Sequence, residues 1–71
     1  MLAGIRKYNR QMRSDLLKEV IAVIGVEEPW ITDVEVRHTG KGFINMTVFT
    51  EHKDIELVGF IHPDEIMLLP A

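Results

Sequence analysis

The spacing of apolar residues in the first third of the chain predicts an amphipathic helix. Apolar side chains recur there at steps of three and four residues, as on one face of a helix with 3.6 residues per turn. Gly25 predicts a left-handed cap at the end of this helix, and Pro29 prevents the helix from resuming. The predicted apolar stripe consists of Ile5, Tyr8, Met12, Leu16, Val20 and Ile24.

Three arginines complicate this helix. At 100° per residue, Arg6, Arg10 and Arg13 fall on the face that becomes apolar in the second half of the helix. A straight helix lying wholly on one core would bury these charges at high cost. Two arrangements therefore remain open. Residues 1–13 overhang the domain as a basic arm, or the helix breaks near Ser14, which is a suitable N-cap residue.

From Trp30 onward the apolar period changes to two, the alternation expected of a strand with one wet face. Turn residues at 39–42 and 51–54 separate the strands. Pro63 cannot donate a backbone hydrogen bond, so residues 63–65 are expected to turn before a short last strand. The predicted strands are Trp30–His38, Phe43–Thr50, Ile55–His62 and Ile66–Leu69.

The apolar pattern also predicts the register of the strands. A three-residue loop at Gly40–Gly42 places Val36 opposite Met46, whereas a two-residue loop would place Val36 opposite Asn45. The apolar match selects the three-residue loop, with Gly42 in the left-handed conformation that such loops need. A four-residue loop at 51–54 then pairs Val48 with Leu57, Met46 with Gly59 and Ile44 with Ile61.

The two faces of the predicted sheet differ less in polarity than expected for one buried and one wet face. The core face carries Val34, Val36, Ile44, Met46, Val48, Leu57 and Ile61, and the helix stripe is its natural cover. The opposite face carries Phe43, Phe49, Val58 and Phe60 among polar residues. That face is too apolar to be fully wet, so the C-terminal segment Ile66–Leu69 or a second molecule is expected to cover it.

These elements predict an α+β fold, in which an N-terminal helix packs on a three- to four-stranded antiparallel meander. The alternative is an SH3-like small β-barrel with an added N-terminal helix, because a short helical turn and a closing strand also end such barrels. The 71 residues are expected to form one domain. A chain this short has a small core, and without cysteine self-association is the expected supplement to its stability.

Charge is divided unevenly along the chain. Residues 1–26 carry five basic and two acidic side chains, whereas residues 27–71 carry three basic and nine acidic ones. A basic segment joined to an acidic body suggests an interaction arm or a self-associating molecule. No apolar run is long enough to span a membrane and no signal peptide is apparent, so a cytoplasmic protein is expected.

Residues that could support catalysis or bind a metal do not form a recognisable motif. The histidines lack ligand-like spacing, and His62 with Asp64 or Glu65 is the nearest approach to a metal site. Residues 39–42 do not match a phosphate-binding loop. No catalytic residue, metal or cofactor is therefore predicted, and the chain is expected not to be an enzyme.

The sequence thus favours a small binding or regulatory protein that acts through protein–protein contact and forms a homodimer. The alternative is nucleic-acid binding through the basic cluster Arg6, Lys7, Arg10 and Arg13, which the low pI of about 5.5 disfavours. The residues expected to bind a partner are Arg6, Arg10, Arg13, Phe43, Phe49, Val58 and Phe60.

Overall fold

The computed structural model describes residues 8–62 and 64–71. The helix α1 spans Arg10–Ile24 and begins at Asn9, whose side-chain oxygen accepts the Met12 backbone N–H at 2.8 Å. It ends at Gly25, which is left-handed with φ 72° and donates its N–H to the Ile21 carbonyl at 2.8 Å. The predicted C-terminal cap is confirmed.

The break predicted as one alternative near Ser14 is wrong, because α1 continues through this residue. The N-cap lies five residues earlier, at Asn9, whose short polar side chain satisfies a backbone N–H that the first turn leaves free. Of the predicted basic arm, residues 1–7 lie outside the described part of the chain, while Arg10 and Arg13 belong to α1.

After α1 the chain forms a single antiparallel meander. A 3₁₀ turn at Glu28–Trp30 leads into the sheet, whose strand order is β1-β2-β3-β4. With one helix on an open four-stranded sheet, the predicted α+β fold is confirmed. The SH3-like barrel is wrong, because β1 and β4 form opposite edges of the sheet. The strands are β1 (Ile31–Gly40), β2 (Phe43–Thr50), β3 (Asp54–His62) and β4 (Glu65–Pro70).

The β1–β2 register is confirmed, although the loop that produces it differs from the prediction. Val36 faces Met46 as expected, but Gly40 pairs with Phe43 and leaves a two-residue loop. Its residues, Lys41 and Gly42, both have positive φ, 46° and 89°, as a type I′ hairpin turn requires. A register shift between His38 and Gly40 supplies the extra residue. This bulge brings Val36 opposite Met46, the pairing that the predicted three-residue loop would also have produced.

A second irregularity lies at the start of β1 and corrects the predicted face of Ile31. Strict alternation puts Ile31 on the polar face, but its side chain is 8% exposed and belongs to the core. The register shifts between Ile31 and Asp33, so one extra residue, Thr32, lets Ile31 and Val34 point to the same side.

The β2–β3 register differs from the predicted one by two residues. Val48 faces Ile55 rather than Leu57, because the loop contains two residues instead of four. The Thr50 hydroxyl accepts the N–H groups of His52 and Lys53 and donates to the Lys53 carbonyl at 2.7 Å, which closes the turn early. A shift of two residues preserves the face of every side chain, so the predicted core face remains correct.

The core lies between α1 and this face of the sheet. Leu16 and Val20 from α1 are at most 1% exposed, and full burial of such a side chain contributes about 1.5–3 kcal/mol. Gly59 lacks a side chain on the core face, which allows either close approach of the helix or a bend in the strand. In the structure it lies against β4, since a Cβ there would collide with the Met67 carbonyl oxygen. The buried sheet residues are Ile31, Val34, Val36, Ile44, Met46, Val48, Leu57, Ile61 and Leu68.

The Gly42→Ala variant tests the hairpin. At φ 89° an alanine is strained, and its Cβ would lie 2.9 Å from a Phe60 ring carbon and 3.0 Å from the Ile61 carbonyl oxygen. We expect the free energy of unfolding to fall by about 1–3 kcal/mol, measured by urea denaturation. Gly25→Ala is the control, because it has a similar φ but open space around the Cβ. An equal or smaller loss at Gly42 would contradict the predicted steric contribution.

A candidate interaction surface on the open sheet face

The face of the sheet opposite α1 has no covering element among the described residues. The C-terminal segment, one predicted cover, instead pairs edge to edge with β3 as strand β4. Its side chains alternate: Leu68 is buried in the core, whereas Met67 and Leu69 are 50% and 57% exposed. The prediction that this segment covers the second face is therefore wrong, and β4 enlarges the uncovered face.

Five apolar side chains are neighbours on this face, and we call them the apolar patch. The register aligns Phe43, Phe60 and Met67 across three strands. Val58 pairs with Leu69 two residues further along β3 and β4, and therefore on the same face. Phe43 is 57% and Val58 39% exposed. Side chains directly across neighbouring strands lie about 5 Å apart. The apolar patch therefore consists of Phe43, Val58, Phe60, Met67 and Leu69.

The rings at one corner of the apolar patch form an aromatic cluster. The Phe43 and Phe60 ring centroids are 5.2 Å apart in an edge-to-face arrangement, and Phe60 stacks on His62 with centroids 6.0 Å apart. Edge-to-face contact is a preferred aromatic geometry. The half-buried Phe60 thus supports the exposed Phe43. A shallow depression of about 370 Å³ runs over the patch and is flanked by Thr39 and Asn45.

The structure brings together three of the four apolar residues predicted for partner binding. Phe43, Val58 and Phe60 belong to the apolar patch, but half-buried Phe49 pairs with Asp33 and Asp54. Phe49 lies six positions along β2 from Phe43, a distance of about 20 Å. Sequence reasoning missed Met67 and Leu69. Their alternation with buried Leu68 is the signal that could have indicated a two-sided edge strand.

A polar network borders the apolar patch on the same face. The Thr47 hydroxyl donates to a Glu56 carboxylate oxygen at 2.9 Å, and the Arg37 guanidinium lies 3.7 Å from the other oxygen of Glu56. Arg37 also forms an ion pair with Glu35. These long side chains cover Thr47, which is 6% exposed although it lies on the open face. The face is therefore apolar toward β4 and charged toward β1.

The two edge strands are less suited than the open face to receive a partner. On β1 the Val34 N–H is bound by the side chain of Asp33 at 2.8 Å, so that donor is not available to an added strand. On β4 Pro70 has no N–H to donate. Such features discourage edge-to-edge pairing.

The basic residues predicted to bind a partner are only partly described. Arg6 and Lys7 lie outside the described residues, and Arg10 is exposed at the start of α1. Arg13 is half-buried, and its buried Nε has no hydrogen-bond partner among the described residues. A buried donor in this state costs about 1–3 kcal/mol, and because this Nε is shielded from solvent it is not itself a contact point for another molecule.

A tyrosine links the start of α1 to the end of β1. The Tyr8 hydroxyl lies 2.6 Å from His38 Nε2, and the Tyr8 ring packs against the core. Burial raises the pKa of the Tyr8 phenol above its ordinary value of 10.0, because the charged phenolate is poorly solvated there. This contact helps to hold the N-terminal end of α1 over the sheet.

The remaining candidates for chemistry do not form a metal site in the described part of the chain. Within residues 8–62 and 64–71, no three His, Cys, Asp or Glu side chains are arranged to hold a metal ion. His62 Nδ1 instead faces the Asp64 backbone N–H at 3.4 Å. Over the same residues, no helix is both long and apolar enough to cross a membrane.

Comparison with protein-family models, curated proteins and solved structures finds no match to this chain. Its function has to be inferred from its own geometry.

Tyr8→Phe tests the link between α1 and β1. Loss of the hydroxyl is expected to lower the free energy of unfolding by about 1 kcal/mol at neutral pH. Because the pKa of Tyr8 is raised by folding, the phenol loses its proton at a lower pH in the unfolded chain than in the folded one. The stabilisation by Tyr8 is therefore fully present below pH 10 and is lost as the pH rises through the folded-state pKa.

Urea denaturation of both proteins between pH 8 and about 11.5 measures this difference. Tyr8 is the single tyrosine of the chain, so wild type should lose stability in this range more steeply than Tyr8→Phe. Parallel pH profiles would show that Tyr8 is not protected from ionisation by folding.

Proposed function

We propose that the protein is a small non-catalytic binding protein that acts through protein–protein contact and associates with itself through the apolar patch. One observation carries the proposal. Five apolar side chains are contiguous on the face that α1 leaves bare, and Phe43 and Leu69 each expose 57% of their surface. Contiguous apolar area on a small protein is typical of an interaction site.

The width of the open face bounds the size of this contact. The sheet has four strands, so the face is about 19 Å wide at the usual strand spacing. Stable protein interfaces bury about 800 Å² per partner, so a contact of that size would extend beyond the apolar patch over most of the open face. Two sheets packed face to face would lie about 10 Å apart, with their apolar side chains interdigitated.

The charge split along the chain does not contribute to this contact. Residues 27–71 carry six more acidic than basic side chains, whereas residues 1–26 carry three more basic than acidic ones. In a dimer packed through the open faces, α1 lies on the outer side of each sheet, so Arg10 and Arg13 do not reach the acidic sheet of the other copy. Such a dimer would depend mainly on the apolar side chains of the patch.

Sedimentation across concentration tests self-association. We expect wild type to sediment as a dimer at tens of micromolar and Leu69→Glu or Phe43→Glu as a monomer, because a carboxylate in the patch would be buried without a partner on assembly. Both side chains are exposed, so the fold should persist, as circular dichroism can verify.

Ala22→Glu is the matched control, since it adds the same charge at an exposed position of α1. It should sediment as wild type does. A monomeric wild type would exclude self-association, and equal effects of all three variants would exclude the apolar patch as the site.

Nucleic-acid binding through Arg6, Lys7, Arg10 and Arg13 remains the second candidate. The exposure of Arg10 at the start of α1 favours an anionic partner. If the protein binds nucleic acid through these residues, its affinity for a mixed-sequence oligonucleotide should fall steeply as the salt concentration rises. Replacing Arg6, Arg10 and Arg13 by Glu should abolish the binding, measured by fluorescence anisotropy. Salt-independent binding, or unchanged binding by the triple variant, would exclude this mode.

A further inference from the structure

We propose that a cleft at the end of α1 binds an arginine side chain of a partner protein. The cleft has a volume of about 340 Å³ and largely apolar walls. It lies near the β2–β3 loop, whereas Phe43 and the apolar patch begin at the β1–β2 loop. The inference is therefore independent of the function proposed above. We call this site the Trp30 cleft; its walls are Gly25, Val26, Glu27, Trp30, Thr50, His52 and Lys53.

Backbone hydrogen bonds hold the walls of the Trp30 cleft together. The Trp30 N–H donates to the Glu27 carbonyl at 3.0 Å, and the Trp30 carbonyl accepts the Glu51 N–H at 3.1 Å. The Thr50 hydroxyl closes the facing loop through three further hydrogen bonds. The cleft is thus assembled before any partner arrives, which lowers the entropy cost of binding.

The aromatic wall suits a planar cation. The Trp30 and His52 ring centroids are 5.0 Å apart and the rings are tilted by 31°, yet Trp30 keeps 42% of its surface exposed. Tryptophan is the strongest cation–π acceptor among the side chains. A guanidinium group can stack on an indole while its edge donates hydrogen bonds.

The charge at the Trp30 cleft selects a cation over a neutral group. The exposed carboxylate of Glu27 forms part of the wall. The C-terminal end of α1 meets the cleft at Gly25, and no basic residue in the last turn of α1 neutralises its partial negative charge. Lys53 opposes these two contributions, so its removal should strengthen binding while the loss of Glu27 should weaken it.

Intrinsic fluorescence tests the proposal directly, because Trp30 is the single tryptophan of the chain. The probe is the peptide acetyl-Gly-Arg-Gly-amide, and the matched reference is the same peptide with citrulline, which keeps the shape but lacks the charge. We expect a saturable change in Trp30 emission with the arginine peptide at millimolar concentration. The citrulline peptide should bind at least two- to five-fold more weakly, the factor that a cation–π contact at an exposed site contributes.

Three variants then separate the contributions of individual charged side chains to binding of the arginine peptide. Glu27→Gln should weaken binding of the arginine peptide about two- to five-fold, and Lys53→Gln should tighten it by a similar factor. Glu28→Gln, beside the cleft but outside its wall, should have a smaller effect than Glu27→Gln. All three side chains are exposed, so folding should be preserved.

Two results would overturn the proposal. One is equal binding of the arginine and citrulline peptides, or no saturable change with either. The other is a change of affinity in the same direction for Glu27→Gln and Lys53→Gln. Because none of these variants touches the apolar patch, the outcome does not depend on whether the protein dimerises.

Discussion

A single helix can cover only one face of a sheet, and the surface chemistry of this protein follows from that constraint. At 15 residues, α1 is about 22 Å long and 10 Å wide. A four-stranded sheet is about 19 Å wide across its strands, so one helix covers about half of that width on a single face. Leu16 and Val20 complete the core on one side. The other side has to be stabilised by long polar side chains, by aromatic contacts or by another molecule.

The open face shows the first two of these, long polar side chains and aromatic contacts, and it offers an apolar surface for the third, another molecule. Toward β1, Arg37 and Glu56 lie over Thr47 and keep it from solvent, although none of the described helices and strands packs there. Toward β4, Phe43 and Phe60 pack against each other but remain partly exposed. The polar side is largely satisfied within the chain, whereas the apolar side gains most from a partner.

The two candidate binding surfaces differ in chemistry and in how they are built. The apolar patch is a by-product of strand alternation, and its residues come from three neighbouring strands. The Trp30 cleft needs the end of α1, the 3₁₀ turn and the β2–β3 loop to meet. The first favours broad apolar contact and the second favours a single charged side chain. A partner could engage both only by spanning the length of the sheet.

The sequence by itself determined the elements and, for most core residues of the sheet, the face on which they lie. Periods of 3.6 and two are properties of the backbone, so they persist in any register. That is why the core face was predictable even though Val48 pairs with Ile55 and not with Leu57. The cap at Gly25 was predictable for a similar reason, because its signal is local.

Only the tertiary structure decided the features that depend on one extra residue or on a distant contact. The bulge near Thr32 turns Ile31 into the core, whereas strict alternation, which keeps one phase along the strand, places this residue on the opposite face. Pairing of β4 beside β3, and not across the open face, placed Leu69 in the apolar patch. The Trp30 cleft joins residues about twenty positions apart. Such contacts are set by the free energy of the whole packed chain, which local periodicity does not encode.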